Sequence, residues 1–242
     1  MNQPVQLLVT CLVDAFFPQV GMATVKVLER CGLKVQFPAG QTCCGQPAFN
    51  GGLWDDARAM ARHTLNVLSA TEGPIVLPSA SCAEMIRRHY RDLFAGDASR
   101  ARQAEAVAGR TYELTQFLVD VLGMADVGGR CAGCAVYHPS CHGLRGLNLR
   151  SQPHTLLANV KGLTLTELPE AETCCGFGGL FAVKMSDLSG AMLERKLDNI
   201  EASGAEMVIA TDVSCLMHIG GGLQKRGRAV QTRHIAEVLA GE

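Results

Sequence analysis

Gln41-Thr42-Cys43-Cys44-Gly45 and Glu172-Thr173-Cys174-Cys175-Gly176 are two copies of one short motif in a chain of 242 residues. A single cysteine precedes each copy and another follows it. These flanking cysteines are Cys11 and Cys82 around the first copy, and Cys141 and Cys215 around the second. The offset between matching cysteines rises only from 130 at the first to 131 at the pair and 133 at the last. Eight of the 11 cysteines therefore belong to an internal duplication.

The duplication predicts two similar halves, because repeats determine architecture before local preferences do. Each half would hold roughly 110 to 130 residues, close to the usual size of a domain. We place the boundary at Gly128-Gly129, so that residues 1–128 form the first half together with a helical connector, and residues 129–242 form the second. The connector covers residues 91–130, and its pattern predicts helices near 100–108 and 112–122.

Composition limits the classes of function. Hydrophobic residues make up 48% of the chain, enough for a globular core, and the formal net charge is −1. A near-neutral charge gives no general attraction to phosphates, so we expect no nucleic-acid partner. The longest apolar stretch, Val5 to Phe17, is shorter than the ~20 residues that a transmembrane helix needs. The first residues lack a basic secretion signal, and we expect a cytoplasmic protein without a transmembrane segment.

Apolar runs alternate with helical patterns in both halves. The predicted strands are 5–10, 33–37, 75–77, 136–138, 163–168 and 207–210. The predicted helices are 18–30, 55–69, 152–160, 187–202, and two that begin near Cys82 and Cys215. This alternation predicts an α/β fold in which each half is a small parallel sheet flanked by helices. Ligands bind beyond the carboxyl ends of such strands, and all eight repeated cysteines fall there.

The chemistry of the repeated cysteines favours metal. In a reducing cytoplasm cysteine-rich sequences more often bind metal than form disulfides, and the odd count of 11 argues weakly against complete pairing. Four thiols per half match the ligands of an iron–sulfur cluster or a structural zinc ion. Zinc sites usually use Cys-x-x-Cys knuckles, which the eight repeated cysteines lack. Adjacent cysteines, whose side chains diverge, fit several irons better than one ion. We predict iron–sulfur clusters, with zinc as the second interpretation and disulfides as the third.

The chain resembles the cysteine-rich CCG-domain proteins, a family that includes a cysteine-rich component of heterodisulfide reductase and the glycolate oxidase iron–sulfur subunit, and it is most similar to the family's lactate utilization branch. The resemblance covers almost the whole chain and rests on five segments: Gln41 to Ala48, Pro78 to Cys82, Tyr137 to His142, Cys174 to Gly179, and Asp212 to His218. It implies two iron–sulfur clusters, one per half. The predicted ligands are Cys11, Cys43, Cys44, Cys82, Cys141, Cys174, Cys175 and Cys215.

Ser79 and Asp212 mark a departure from the reductase members of that family. Those members carry noncubane clusters and end each copy with Cys-x-x-Cys, which supplies five thiols per site. Here the earlier cysteine is replaced by Ser79 in the first half and by Asp212 in the second. Four thiols per site favour ordinary [4Fe-4S] clusters and argue against heterodisulfide cleavage. Oxygen ligation of iron by either side chain stays open.

The resemblance implies an iron–sulfur electron-transfer subunit that works with companion subunits of a complex oxidising L-lactate, a 2-hydroxy acid, to pyruvate. The sequence has no Walker motif, and Gly176-Phe177-Gly178-Gly179 lacks the third glycine of a dinucleotide fingerprint. We therefore expect no hydride-transfer site in this chain. The alternatives are a thiol–disulfide reductase like heterodisulfide reductase and a zinc-stabilised interaction module.

The remaining cysteines and two histidines carry weaker hypotheses. Cys31 ends a predicted helix, where we expect it to pack. Cys131 and Cys134 form a Cys-x-x-Cys that precedes a predicted strand, whereas a thioredoxin-like motif opens a helix, so we favour exposed thiols over a redox switch. His138 and His142 flank Cys141. Structural roles are favoured for both, with a hydrogen bond to a cluster sulfur as the alternative.

Overall fold

The computed structural model describes residues 4–241, and within them eight strands form two four-stranded sheets. The strands of the first sheet are β1 Val5–Leu7, β2 Val35–Gln36, β3 Ile75–Leu77 and β4 Thr111–Glu113. Those of the second are β5 Arg130–His138, β6 Lys161–Thr166, β7 Met207–Ala210 and β8 Gln231–His234. The strand orders, β2-β1-β3-β4 and β6-β5-β7-β8, are the same, and every pairing is parallel. The predicted α/β fold with duplicated parallel sheets is confirmed.

Helices connect the strands in the same way in both halves. The first half contains α1 Cys11–Phe16, α2 Pro18–Arg30, α3 Gln46–Asn50, α4 Trp54–Ser69, α5 Ala80–Glu84, α6 Tyr90–Leu93, α7 Ala98–Ala108 and α8 Leu114–Gln116. The second contains α9 Gln152–Ala158, α10 Leu180–Lys184, α11 Ser186–Ala202, α12 Val213–Lys225 and α13 Ile235–Ala240. Single π-helical turns cover Met85–His89, Phe117–Val121 and His142–Gly146.

Helix α2 shows how the sequence sets these elements. Pro18 occupies its first turn, where the missing N–H costs nothing and the fixed φ suits a helix. Val20, Ala23 and Val27 follow at helical spacing and are buried against the sheet. The helix ends at Arg30 and is capped by Cys31, and Gly32 beyond it has a φ of 78°, a conformation that favours glycine.

One apolar core extends across both halves. Val5 and Val76 of the first sheet pack in the same cluster as Ala135 and Ile209 of the second. Arg30 adds polar links, because its guanidinium donates to the carbonyl oxygen of Val127, near the end of the first half, and to those of Leu239 and Ala240, near the end of the second. The two sheets therefore fold against each other. A second core lies mainly in the first half and includes Leu147 and Leu149 of the second half, and a third core lies within the second half.

The fourth strand of each sheet was not predicted. The expectation of a helix over 112–122 is wrong at its start, because Tyr112 and Glu113 complete β4 before α8 begins. Residues 91–130 therefore supply α7 and β4 to the first half as well as connecting the halves. The division into residues 1–128 and 129–242 stays a prediction. No helix within residues 4–241 has the length and apolar character needed to cross a bilayer.

Candidate metal centres

The first four repeated cysteines meet at the carboxyl edge of the first sheet. Cys11 opens α1 directly after β1, and Cys82 lies in α5 after β3. Cys43 and Cys44 lie in the loop after β2. We call these four residues the first quartet. Because parallel strands end at a common edge, residues up to 71 positions apart in sequence reach one place.

The thiols of the first quartet contact one another. The Sγ atoms of Cys44 and Cys82 are 3.3 Å apart, and Cys43 shares hydrogen bonds with both Cys11 and Cys44. Hydrogen bonds from Cys11 and Cys44 lower the pKa of Cys43 to about 3. The same bonds raise the pKa values of Cys11 and Cys44, since each proton is held by its neighbour. These hydrogen bonds therefore favour the thiolate form of Cys43.

The second quartet, Cys141, Cys174, Cys175 and Cys215, repeats this arrangement at the edge of the second sheet. Hydrogen bonds from Cys141 and Cys175 lower the pKa of Cys174 to about 2. Cys175 also bonds to Cys215, and these contacts raise its pKa. The duplicated spacing therefore brings each predicted set of four cysteines together. The thiol with the lowered pKa is the first cysteine of the Cys-Cys-Gly motif in both halves, Cys43 and Cys174.

The glycine of each Cys-Cys-Gly motif is required by its backbone and by close packing. Gly45 and Gly176 have φ values of 86° and 91°, in the region that favours glycine. A Cβ on Gly176 would lie 2.6 Å from the carbonyl oxygen of Ser189, and one on Gly45 would lie 3.2 Å from that of Ala57. Each glycine N–H also points at the first thiol of its pair, with N–Sγ distances of 3.5 Å for Cys43 and 3.3 Å for Cys174.

Both quartets line a single cavity of about 200 Å³ between the halves. Thiols from the two sheets face this space together with Gln46, His142, Phe177 and Asp212. Neither lysine nor arginine occurs among the described residues that line it. The described wall of the cavity is therefore rich in sulfur and has no lysine or arginine side chain.

Ser79 and Asp212, which stand where a fifth cysteine would lie in each half, are bonded to each other. Ser79 Oγ donates to Asp212 Oδ1 over 2.8 Å. Ser81 donates to the same oxygen through its Oγ at 2.8 Å and its backbone N–H at 3.1 Å. Asp212 Oδ2 is buried without a hydrogen-bond partner among the described residues. The Asp212 carboxylate of the second half is thus hydrogen-bonded to two serines of the first half beside the cavity.

Different side chains anchor the two cysteine loops. Tyr90, fully buried at the start of α6, donates its hydroxyl to the carbonyl oxygen of Cys44 over 2.8 Å. In the second half Lys196 of α11, also fully buried, donates from Nζ to the carbonyl oxygens of Glu170 and Ala171 at 3.1 and 3.0 Å. Burial lowers the pKa of Lys196, while the nearby thiols of the second quartet favour its charged form.

His138 and His142 have different surroundings. His138 is the last residue of β5 and is fully buried, and neither of its ring nitrogens has a hydrogen-bond partner in the described part of the chain. Burial, with a smaller effect of Lys196, lowers the pKa of His138 to about 3. Burial also opposes charge on His142, but its hydrogen bond to the Glu84 carboxylate of the first half raises its pKa.

The three other cysteines lie away from the cavity lining. Cys31 packs against the shared core. Cys131 and Cys134 lie within β5 rather than before a strand, because β5 begins at Arg130. Cys131 also packs against the shared core, and the Sγ of Cys134 lies 2.9 Å from the hydroxyl of Thr166. All 11 cysteines have free thiols in the structure, and no two of them form a disulfide bond.

Sequence reasoning missed several residues that shape the site. The basic pattern from Arg87 to Arg91 predicts a solvated helix face, yet the ring of Tyr90 within it is buried. The burial of Lys196 and Glu84 was not predicted, since charged residues on amphipathic helices are usually exposed. Lys196 could have been noticed, because it falls on the apolar side of α11 with Leu197 and Ile200, which are buried.

The donor chemistry of each quartet fits an iron–sulfur cluster. Four thiols gathered at one edge, of which one has a lowered pKa, supply the soft sulfur ligands that such clusters use. The wall of the shared cavity contains more cysteines than residues of any other type, and its only carboxylate among the described residues is Asp212, which accepts hydrogen bonds from Ser79 and Ser81. A structural zinc ion would also accept four sulfurs, but the adjacency of Cys43 and Cys44 suits several metals better than one.

The comparisons agree with the duplication. A family model described as the cysteine-rich domain, CCG, matches residues 5–87 and again 135–220. Lactate utilization protein A 2 of Bacillus cereus strain 03BB102 is 47% identical over 236 residues, covering 98% of this chain and 97% of the relative. Lactate utilization protein A of Shouchella clausii strain KSM-K16 is 49% identical over 235 residues, covering 97% of this chain and 98% of the relative.

A solved structure with the same fold is a hypothetical protein from Helicobacter pylori. It superposes with a TM-score of 0.68 at 9% sequence identity, over 99% of this chain and 48% of that one. The present chain thus spans about half the length of that protein. At such low identity the similarity shows the fold alone.

Proposed function

The chain belongs to the cysteine-rich (CCG) domain family, in its lactate utilization protein A branch, and we propose that it is an iron–sulfur electron-transfer subunit for L-lactate oxidation. Relatives that share nearly half of its residues over almost its full length carry the name lactate utilization protein A. In this proposal the quartets hold two [4Fe-4S] clusters, one in each half. A bound cluster would supply reversible one-electron transfer.

The residues around the quartets would hold these clusters in fixed and partly shielded positions. Cys44, Cys82 and Cys175 are nearly inaccessible to solvent, with exposed fractions of 4%, 8% and 2%. Tyr90 and Lys196 fix the loops that carry the cysteine pairs. Burial of the ligands limits the loss of metal and the entry of oxidants, and rigid loops reduce structural change during electron transfer.

The lining of the cavity is the observation that favours electron transfer in this chain and lactate binding in another subunit. A 2-hydroxy acid presents a carboxylate, which proteins usually bind through arginine or lysine. The described residues that line the cavity include neither, and Asp212 would repel a carboxylate there. We therefore assign lactate binding and hydride removal to companion subunits, with this chain receiving the electrons in steps.

The cavity between the quartets also supports a second candidate, a thiol–disulfide reductase. Both sets of sulfur donors border this space, so a small disulfide could reach them together. The replacement of a fifth cysteine by Ser79 and Asp212 argues against it, because these side chains bond to each other. Thiol release from a disulfide by the dithionite-reduced chain would favour this candidate over the first.

L-lactate reduction of the metal centres tests the electron-transfer proposal. The chain would be purified anaerobically in two forms, alone and in the complex captured through a tag on it. We expect dithionite to bleach the visible absorption of both forms, and L-lactate to bleach only the complex. A complex carrying Cys44→Ser and Cys175→Ser should bind its companions but lose the lactate-dependent bleaching. Turnover of L-lactate by the isolated, pure chain, or no bleaching in the complex, would refute the proposal.

A further inference from the structure

His138 is a buried imidazole with unsatisfied nitrogens. It lies at the carboxyl end of β5, paired in register with Ala210, and none of its surface reaches solvent. Neither Nδ1 nor Nε2 makes a hydrogen bond of normal geometry among residues 4–241, although the backbone of Ala171 lies near the ring. A buried polar group without a partner destabilises the fold, so native proteins rarely keep one without a reason.

The ring lies against the second quartet. A ring nitrogen of His138 and the Sγ atoms of Cys175 and Cys215 all lie within 4.8 Å of one another. Imidazole nitrogen and thiolate sulfur are compatible donors in iron and zinc sites. The nitrogen is therefore placed where it can join the sulfurs around one metal centre, and this would satisfy an otherwise unpartnered atom.

The first half has no such donor. Leu7 pairs with Val76, and the residue after it, Leu8, occupies in the first half the place of His138, three residues before the first cysteine. Leu8 is apolar and 2% exposed, and it packs in the core next to Cys44 and Cys82. The duplication has therefore kept the thiols in both halves and placed a nitrogen in only one.

We propose that His138 binds the second metal centre through a ring nitrogen, which makes its donor set different from that of the first centre. The first centre then has thiolate donors alone, and the second has thiolates and an imidazole. This inference rests on the proposed presence of an iron–sulfur centre in each half.

Pulsed electron paramagnetic resonance of the full chain labelled with ¹⁵N-histidine tests this bond. The labelled protein is reduced anaerobically with dithionite, and its iron content is measured in the same sample. We expect a strong ¹⁵N coupling of the kind given by a directly bound histidine. It should disappear in His138→Leu, which installs the residue that the first half carries. It should persist in the control His154→Leu, whose ring packs on Tyr137 and lines a different cavity.

Iron content separates the failure of this inference from failure of the proposed function. Iron and sulfide in the wild type with no strong ¹⁵N coupling, or a coupling that remains in His138→Leu, would overturn the role of His138 alone. A weak coupling, as from a hydrogen bond to sulfur, would overturn it too. The absence of iron would overturn the proposed function and this inference together. Since the wild-type spectrum decides the main point, the test survives poor folding of the variant.

Discussion

Matched positions in the two halves carry different residues around the same thiols. Met60 and Met192 lie against Gly45 and Gly176, and four residues further along each helix the first half has Thr64 where the second has Lys196. The buried cation is thus confined to the second quartet. At the scale of single residues, the duplicated frame holds two chemically distinct sites.

Lys196→Met should lower the reduction potential of the second centre. Reduction adds negative charge, which the buried ammonium stabilises, and removing it should shift the potential by roughly tens of millivolts in the negative direction. A redox titration followed by electron paramagnetic resonance measures the shift. Lys184→Met, which removes an exposed lysine of α10, is the control and should leave both potentials nearly unchanged. Equal shifts in the two variants would rule out a local effect of Lys196.

Tyr90→Phe should weaken the first cysteine loop. The variant leaves the buried carbonyl of Cys44 without its 2.8 Å hydrogen bond, at a cost of about 1–2 kcal/mol in the free energy of unfolding. Thermal unfolding measures this cost, and a chelator should remove iron faster from the first centre. Tyr112→Phe is the matched control, because that hydroxyl makes only a 3.4 Å exposed contact. Identical melting of both variants would show that the Tyr90 hydroxyl is not an anchor.

At the scale of elements, the fourth strand of each sheet ends in a residue that caps the following helix, and neither strand was predicted from the sequence. Glu113 ends β4 and caps α8, and His234 ends β8 and caps α13. Three short strands per half were predicted because their apolar runs are clear. Strands β4 and β8 were missed because Thr111–Glu113 and Gln231–His234 contain mostly polar residues, whose burial comes from neighbours in the fold. Their capping roles depend on tertiary contacts that no local pattern records.

Glu113→Gln should change the pH dependence of stability. Burial raises the pKa of Glu113 from 4.5 to about 7, because Oε1 is enclosed without a partner among the described residues. The folded chain then binds more protons than the unfolded chain between these values, so stability falls as the pH rises from 4.5 to 7. The full effect is about 3 kcal/mol.

The glutamine variant should therefore melt at a higher temperature than the wild type above pH 7 and lose most of the slope below it. Thermal unfolding at several pH values measures this difference. Glu29→Gln, an exposed substitution on α2, should keep the wild-type slope. An unchanged slope in Glu113→Gln would mean that another group controls this pH window.

At the scale of the whole molecule, the two halves form one unit around the shared cavity. Sequence spacing predicted that each set of four cysteines meets at a sheet edge, since that follows from parallel strands within one half. It could not predict that the two edges face each other, because contact between halves depends on packing of the shared core. The hydrogen bond between Ser79 and Asp212 could not be predicted either, because it joins the two halves.

Asp212→Ala should loosen the junction between the halves and affect both centres. The substitution removes three hydrogen bonds from Ser79 and Ser81 to one buried carboxylate oxygen, with a loss of roughly 2–4 kcal/mol. Thermal unfolding and the iron content of each centre measure the effect, with Asp14→Ala on the exposed side of α1 as the control. Loss of only the second centre at unchanged stability would instead identify Asp212 as an iron ligand.

Metal and sulfide analysis of the anaerobically purified full chain tests the central claim, one iron–sulfur centre per half whose thiolate ligands come from the four repeated cysteines of that half. We predict about eight irons and eight sulfides per chain. The double variants Cys44→Ser/Cys82→Ser and Cys175→Ser/Cys215→Ser should each retain about half of both, whereas the control Cys31→Ser/Cys131→Ser should retain all. Zinc in place of iron, or loss of all iron from either of the first two variants, would contradict the account.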